Sequence, residues 1–144
     1  MNLTWDDIKK KEVGTILYEE HDEGLYFIIL RGPASLCAYV GIPIMHPLAR
    51  HYCDDLPVEC HGGLTFSGEG NGKYLPKNFW WYGWDYAHCH DHCFYYDEDY
   101  LPRDSHKWLV DEIVDDSSSA KDDFHKLIRL SEGIFLNTKL KEDK

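Results

Sequence analysis

At 144 residues the chain has the length of one compact domain, so a single domain over 1–144 is expected, with room for a real core and none for a second. A 43% hydrophobic fraction with ten Tyr and five Trp excludes a disordered chain. A formal net charge of -11 excludes general nucleic-acid binding, which depends on Lys and Arg displacing the counterions around phosphates.

No apolar run is long enough to cross a bilayer, and "MNLTWDDIKKKEVG" lacks the apolar segment of a signal peptide. The expectation is a cytoplasmic protein with no membrane partner. Five cysteines is an odd number, and Cys89 and Cys93 sit among histidines, which favours free thiols or metal ligands over a disulfide framework.

In chain order, Thr4 before "WDDIKKK" supplies an N-cap, an acidic first turn and a basic end, which predicts a short opening helix. "VGTILYEEHDEGLYFIILRGPASLCAYVGIP" predicts an antiparallel meander of strands turning at Asp22-Glu23-Gly24 and at Arg31-Gly32-Pro33. "MHPLARHYCDDLP" has no clean period and carries two prolines, so an irregular crossing over the sheet is expected. "VECHGGLTFSG" reads as a further strand with Gly62 and Gly63 marking a bulge, "GEGNG" as a turn without the Lys-Ser/Thr ending of a P-loop, and "FWWYGWDYAH" as a strand whose aromatic wall Gly83 interrupts. After a polar segment at 97–105, Ser105 is placed to cap a helix with Leu109, Val110, Ile113 and Val114 on one stripe. A second helix starts at about Ser119 and buries Phe124, Leu127 and Ile128. The class is α+β, a mostly antiparallel sheet packed by C-terminal helices.

Six of the nine histidines and four of the five cysteines fall between His46 and Cys93, and that clustering is the chemical signal of the sequence. Within "DYAHCHDHC", an extended backbone puts Tyr86, His88, His90 and His92 on one face, where three alternating histidines chelate a metal; if the strand ends near His88, Asp85, His88 and Asp91 converge instead at a turn-like spacing. Neither arrangement carries the spacing of a known zinc motif. At Gly62 and Gly63 the absent side chains either serve sheet curvature or let a ligand reach backbone N–H groups, with His61 and Thr65 beside them. Because a strand alternates its faces, Trp80, Trp81, Tyr82 and Trp84 cannot all point inward within one small domain, which predicts a homo-oligomer or a ligand against one aromatic face.

The order "YVGIPIMHPL", "DD", "HGGLTFSG", "WWYGWDYAH" with Asp91, then "HKWLVDEI", from about Tyr39 to Ile113, resembles a family of small proteins carried by bacteriophages and prophages. His46, His61, Asp85, His88 and Asp91 sit on matching positions, whereas Trp84 stands where that pattern has Phe and His90 where it has Gly. The resemblance implies a phage context within an infected bacterial host. By analogy it implies an anti-defence sponge that sequesters a nucleotide second messenger of bacterial immunity, commonly as a homo-oligomer.

Three readings follow. In the first, the protein sequesters a small nucleotide-like ligand of cyclic or ADP-ribose type: its base stacks on Trp80 or Trp81, while His61, Thr65 and the backbone of Gly62 and Gly63 hold ribose or phosphate oxygens. His88, oriented by Asp85 or Asp91, adds a further polar contact. In the second, His46, His61, Asp85, His88 and Asp91 bind a divalent metal in a phosphodiesterase, with His61, His88 and Asp91 as the catalytic groups. In the third, the aromatic strand is the contact surface of a structural or host-binding module.

Overall fold

The computed structural model describes residues 3–95 and 105–142, the last nine of them as backbone alone. The elements are α1 (Trp5–Lys9), β1 (Ile16–Asp22), β2 (Leu25–Arg31), β3 (Leu36–Pro43), a 3-10 turn at Cys53–Asp55, β4 (Phe66–Glu69), β5 (Phe79–Asp85), α2 (Val110–Asp116) and α3 (Ser118–Glu142). The strands form one antiparallel sheet in the order β1-β2-β3-β5-β4, and the fold is α+β. Among the described residues no helix is long and apolar enough to cross a membrane.

Local chemistry accounts for each start and turn. Thr4 Oγ1 accepts from Asp7 N–H and Asp7 Oδ2 from Thr4 N–H, so α1 opens on a reciprocal cap. Glu23 and Gly24, at φ 47° and 84°, give the two left-handed residues that a two-residue hairpin between β1 and β2 needs. Between α1 and the meander, the buried Arg31 guanidinium lies over the Phe94 ring and donates to Lys9 O and Pro33 O, tying the end of the helix to the β2–β3 turn.

Strand alternation sorts the core. Phe27 and Ile29 of β2, Ala38, Val40 and Ile42 of β3, and Tyr82 and Trp84 of β5 share one face, which α1, the crossing at 44–58, α2 and α3 cover with Ile8, Leu48, Ile113, Phe124 and Ile128. The crossing fastens to polar tips on that face: Tyr82 Oη donates to Leu48 O at 2.6 Å and Trp80 Nε1 to His51 O at 3.1 Å. On the other face Ile28, Leu30 and Trp81 pack under Leu75, because the loop at 70–78 folds back and Pro76 O accepts from Trp81 Nε1 at 3.0 Å. Two glycines make room there for rings: a Cβ at Gly41 would lie 2.7 Å from Trp81, and one at Gly83 2.5 Å from Tyr39. Trp81 and Tyr82 are both fully buried in one chain, so the aromatic strand does not require a second copy to cover it. The homo-oligomer expected from that strand is not needed to bury it.

Three expected elements differ. The strand expected over 58–68 is confined to Phe66–Glu69; residues 60–63 form a turn closed by Gly63 N–H on Cys60 O, with Gly62 and Gly63 at φ 71° and 82°. β5 ends at Asp85, which leaves His88, His90 and His92 off the strand and selects the turn-like alternative for this segment. Ser105 does not cap α2: its hydroxyl meets His92 Nδ1 at 3.0 Å, and the helix starts after Leu109, whose N–H donates to Glu112 Oε1. Residues 105–109 are diverted because His106 pairs with the β5 exit, His106 N–H donating to His90 O and His92 N–H to His106 O. Apart from Ser105, the polar segment at 97–105 lies outside the described residues.

Truncating the second-face anchor tests this packing. Trp81→Ala is expected to lower unfolding free energy by about 3–5 kcal/mol, the range for emptying a core aromatic site, measured by urea denaturation. A loss comparable to that of a surface substitution would show that the 70–78 loop does not seal this face.

Candidate functional site

The site forms where β5 ends. Asp91 is 5% exposed, and its carboxylate accepts three hydrogen bonds from three separate stretches of chain: His61 Nε2–H on Oδ2 at 2.6 Å, His88 backbone N–H on Oδ2 at 2.9 Å, and Trp108 Nε1–H on Oδ1 at 2.8 Å. A buried charge needs such compensation, and here three donors provide it. Nε2 faces the carboxylate and Nδ1 is the ring's other nitrogen, an acceptor in the Nε2–H tautomer, on a side chain 21% exposed.

Aromatic packing fixes the His61 ring. It stacks on Tyr86 at 4.5 Å and 12°, and meets Trp108 and His88 edge-on at 5.1 and 5.6 Å. Tyr86 is held in turn, accepting from Trp84 Nε1 at 3.2 Å and donating to Asp116 Oδ2 at 2.8 Å. Burial, with that bond to Asp116 reinforcing it, pushes the Tyr86 phenol well above its ordinary range, so it stays a donor.

His88 packs on the glycine turn. Its Nε2 lies 3.3 Å from Asp85 Oδ1 without the alignment of a hydrogen bond. A Cβ at Gly62 would sit 2.2 Å from that same Nε2, whereas one at Gly63 would meet nothing within 4 Å. Close approach of the His88 ring is what Gly62 permits, and Gly63 opens on free space. Gly63 N–H is bonded to Cys60 O at 3.0 Å, which closes the turn. The neighbouring Cys60 thiol is pushed up to about 12, by burial first and then by the charge of Asp116, so at neutral pH it is protonated.

The structure thus brings together His61, Gly62, Gly63, Asp85, His88 and Asp91. Thr65 is exposed two residues beyond the turn, its N–H donating to Gly83 O. His46 is elsewhere: it follows Pro43, which pairs with Phe79 at the far end of β5 from Asp85, and its Nε2 meets Glu132 Oε1 at 3.0 Å. Trp80 and Trp81 also belong to that far half, on opposite faces of the sheet. The Trp81 ring is closed to any ligand, and Trp80 is half-buried against the crossing. Trp108, Tyr86 and Asp116 join the site without having stood out in the sequence pattern. The signal for Trp108 is Glu112, placed three residues after Leu109, which marks a later helix start and leaves Trp108 in the preceding extended segment.

The proposed metal ligands do not converge on one point. His61 Nε2 faces Asp91 itself, His46 is distant, and among the described residues the three donors close enough to share a cation are Asp22, Glu23 and His125, at the β1–β2 turn.

No protein-family model matches the chain, and neither a curated protein nor a solved structure does so.

The two glycines separate backbone from packing. Each alanine substitution carries the left-handed penalty of about 1–2 kcal/mol. Gly62→Ala is expected to cost more than Gly63→Ala in denaturant unfolding and to shift the His88 ring resonances, because only its Cβ meets that ring. Equal costs with unmoved His88 signals would contradict the contact.

Proposed function

We propose that the protein binds a small nucleotide-like ligand at the β5 exit and retains it unchanged. The observation that carries this reading is the His61–Asp91 pair: a buried carboxylate holds the imidazole through Nε2 next in the chain to the Gly62–Gly63 turn, where a Cβ at Gly63 would meet nothing within 4 Å. Nδ1 accepts from a ribose hydroxyl or an exocyclic amine, and Gly62 N–H donates to a ligand oxygen. The planar base lies against the half-buried rings of Trp108 or His88, since Trp81 is enclosed. Asp85, Asp91 and Asp116 make the surroundings acidic, which favours hydroxyl and amine groups of the ligand over its phosphates at the contact itself.

Retention rather than turnover is supported by the donor set. The cysteine next to His61 is held protonated, and the His and Asp side chains do not converge on a cation position. The resemblance of Tyr39–Ile113 to phage and prophage proteins supports reading the ligand as an immune signal of an infected bacterium, with the protein as an anti-defence sponge. A His–Asp pair is also the arrangement of a general base, so hydrolysis is the competing outcome.

Incubation with a panel of cyclic and ADP-ribose-type nucleotides, followed by heating to release what is bound, distinguishes them. Wild type is expected to return one compound intact, and His61→Ala to bind it at least about tenfold more weakly, the loss of one hydrogen bond to an oriented ring. Cleaved product from wild type, absent with Asp91→Asn, overturns retention in favour of hydrolysis; no retained compound overturns the nucleotide reading.

A further inference from the structure

A second cluster of ligand-bearing side chains lies at the opposite end of the sheet from the β5 exit. Tyr26 pairs with Gly41 and Gly41 with Trp81, so the β1–β2 turn stands at the end where β5 begins. There Asp22, Glu23 and His125 each offer one ligand atom, and the three atoms lie within 4.8 Å of one another. His125 Nε2 is 3.3 Å from Asp22 Oδ2. Two ligands bonded at about 2.0–2.1 Å to one tetrahedral zinc ion lie roughly 3.3 Å apart, so this pair already has the separation of two ligands on one ion. Glu23 is exposed, and a turn of its side chain closes the remaining gap.

The packing of α3 on β1 sets this geometry. Phe124 and Ile128 are buried in the core, which fixes the rotation of α3 and leaves the His125 side chain 13% exposed over β1. Alternation puts Asp22 on the same face of β1 as Glu20, and Lys121 pairs with Glu20 one helical turn before His125 reaches Asp22. Glu23 follows at the left-handed φ of 47°, so the turn presents two consecutive carboxylates. The two rungs differ in charge. At the first, one ammonium meets one carboxylate; at the second, one imidazole meets two, and even a protonated ring leaves one carboxylate uncompensated within the cluster. His21 is not a fourth donor, because alternation turns it to the other face, where its ring lies 3.9 Å from that of Tyr26. One nitrogen with two carboxylate oxygens suits a divalent transition metal such as zinc, whereas Ca²⁺ and Mg²⁺ take oxygen ligands.

We propose that Asp22, Glu23 and His125 bind a divalent transition-metal ion of the zinc type, with water completing its coordination, and that the ion ties the β1–β2 hairpin at the sheet edge to α3. On binding, His125 Nε2 gives its lone pair to the ion instead of a hydrogen to Asp22, and the ring carries its proton on Nδ1. The site uses neither His61 nor Asp91, so this inference stands independently of the nucleotide reading.

Titration of the full chain with Zn²⁺, after EDTA treatment and removal of the chelator, tests the proposal, with histidine ring resonances and melting temperature followed together. The first equivalent is expected to move the His125 ring signals before those of any other histidine and to raise the melting temperature, since the ion binds the folded chain alone. Asp22→Asn and Glu23→Gln, both at exposed positions, are each expected to weaken binding at least about tenfold, the lower end of what even an outer-shell partner of a metal costs. His21→Gln is expected to bind as wild type does, and Ca²⁺ at the same concentration to leave His125 unmoved. A first equivalent taken up at other histidines with His125 unmoved, an unchanged melting temperature at saturation, unchanged affinity in Asp22→Asn or Glu23→Gln, an equal loss in His21→Gln, or equal binding of Ca²⁺ overturns it.

Discussion

One carboxylate organises the functional end of this molecule. Asp91 is buried, and burying an ionised group without partners costs more than a small domain can tolerate, so the surrounding chain is arranged to supply donors. Those donors come from residues 61, 88 and 108, stretches that are far apart in sequence and share no strand. The glycine turn, the β5 exit and the approach to α2 are therefore joined at a single point. Removing the charge leaves an imidazole, an indole and a backbone N–H competing for a poorer acceptor, with His61 losing its orientation along with the bond.

Shape and electrostatics are coupled at that point. The His61 ring is gripped between Tyr86 and Trp108, and Tyr86 is fixed by Trp84 and Asp116, so aromatic packing determines which nitrogen faces Asp91. Gly62 completes the arrangement by letting His88 close over the turn. The same sheet then offers two chemically different surfaces. A polar, hydrogen-bonding one stands at the β5 exit, and an apolar one on the second face is sealed in part by Leu75 over Trp81.

Much of the architecture is legible locally. The meander follows from β-branched and aromatic runs punctuated by Asp22-Glu23-Gly24, and α3 starts within one residue of its expected position because its apolar spacing is helical. The turn at 60–63 is hidden because Gly62 and Gly63 serve a bulge and a turn equally well in one sequence; what decides is the His88 ring, 26 positions away in the chain. Burial of both aromatic faces is likewise hidden, since it depends on a turn-rich loop at 70–78 folding back over Trp81, and composition says nothing about where a loop lies. Of the site, Asp85, His88 and Asp91 are legible from their spacing once the strand ends, and His61 from its neighbouring glycines. Trp108 is masked by the apolar stripe that follows it, and His46 is misleading because its nearness in composition is not nearness in space.

With the ring neutral, Asp91 holds His61 as the Nε2–H tautomer, in which Nδ1 is the acceptor. A long-range nitrogen–proton NMR correlation on selectively labelled histidine reads this directly, at a pH where the ring is neutral. The expected result is a protonated Nε2, an unprotonated Nδ1 and a hydrogen-bonded Trp108 indole proton, with the His61 pattern lost in Asp91→Asn. A His61 ring protonated at Nδ1, or one that exchanges freely between tautomers in the wild-type protein, would contradict it.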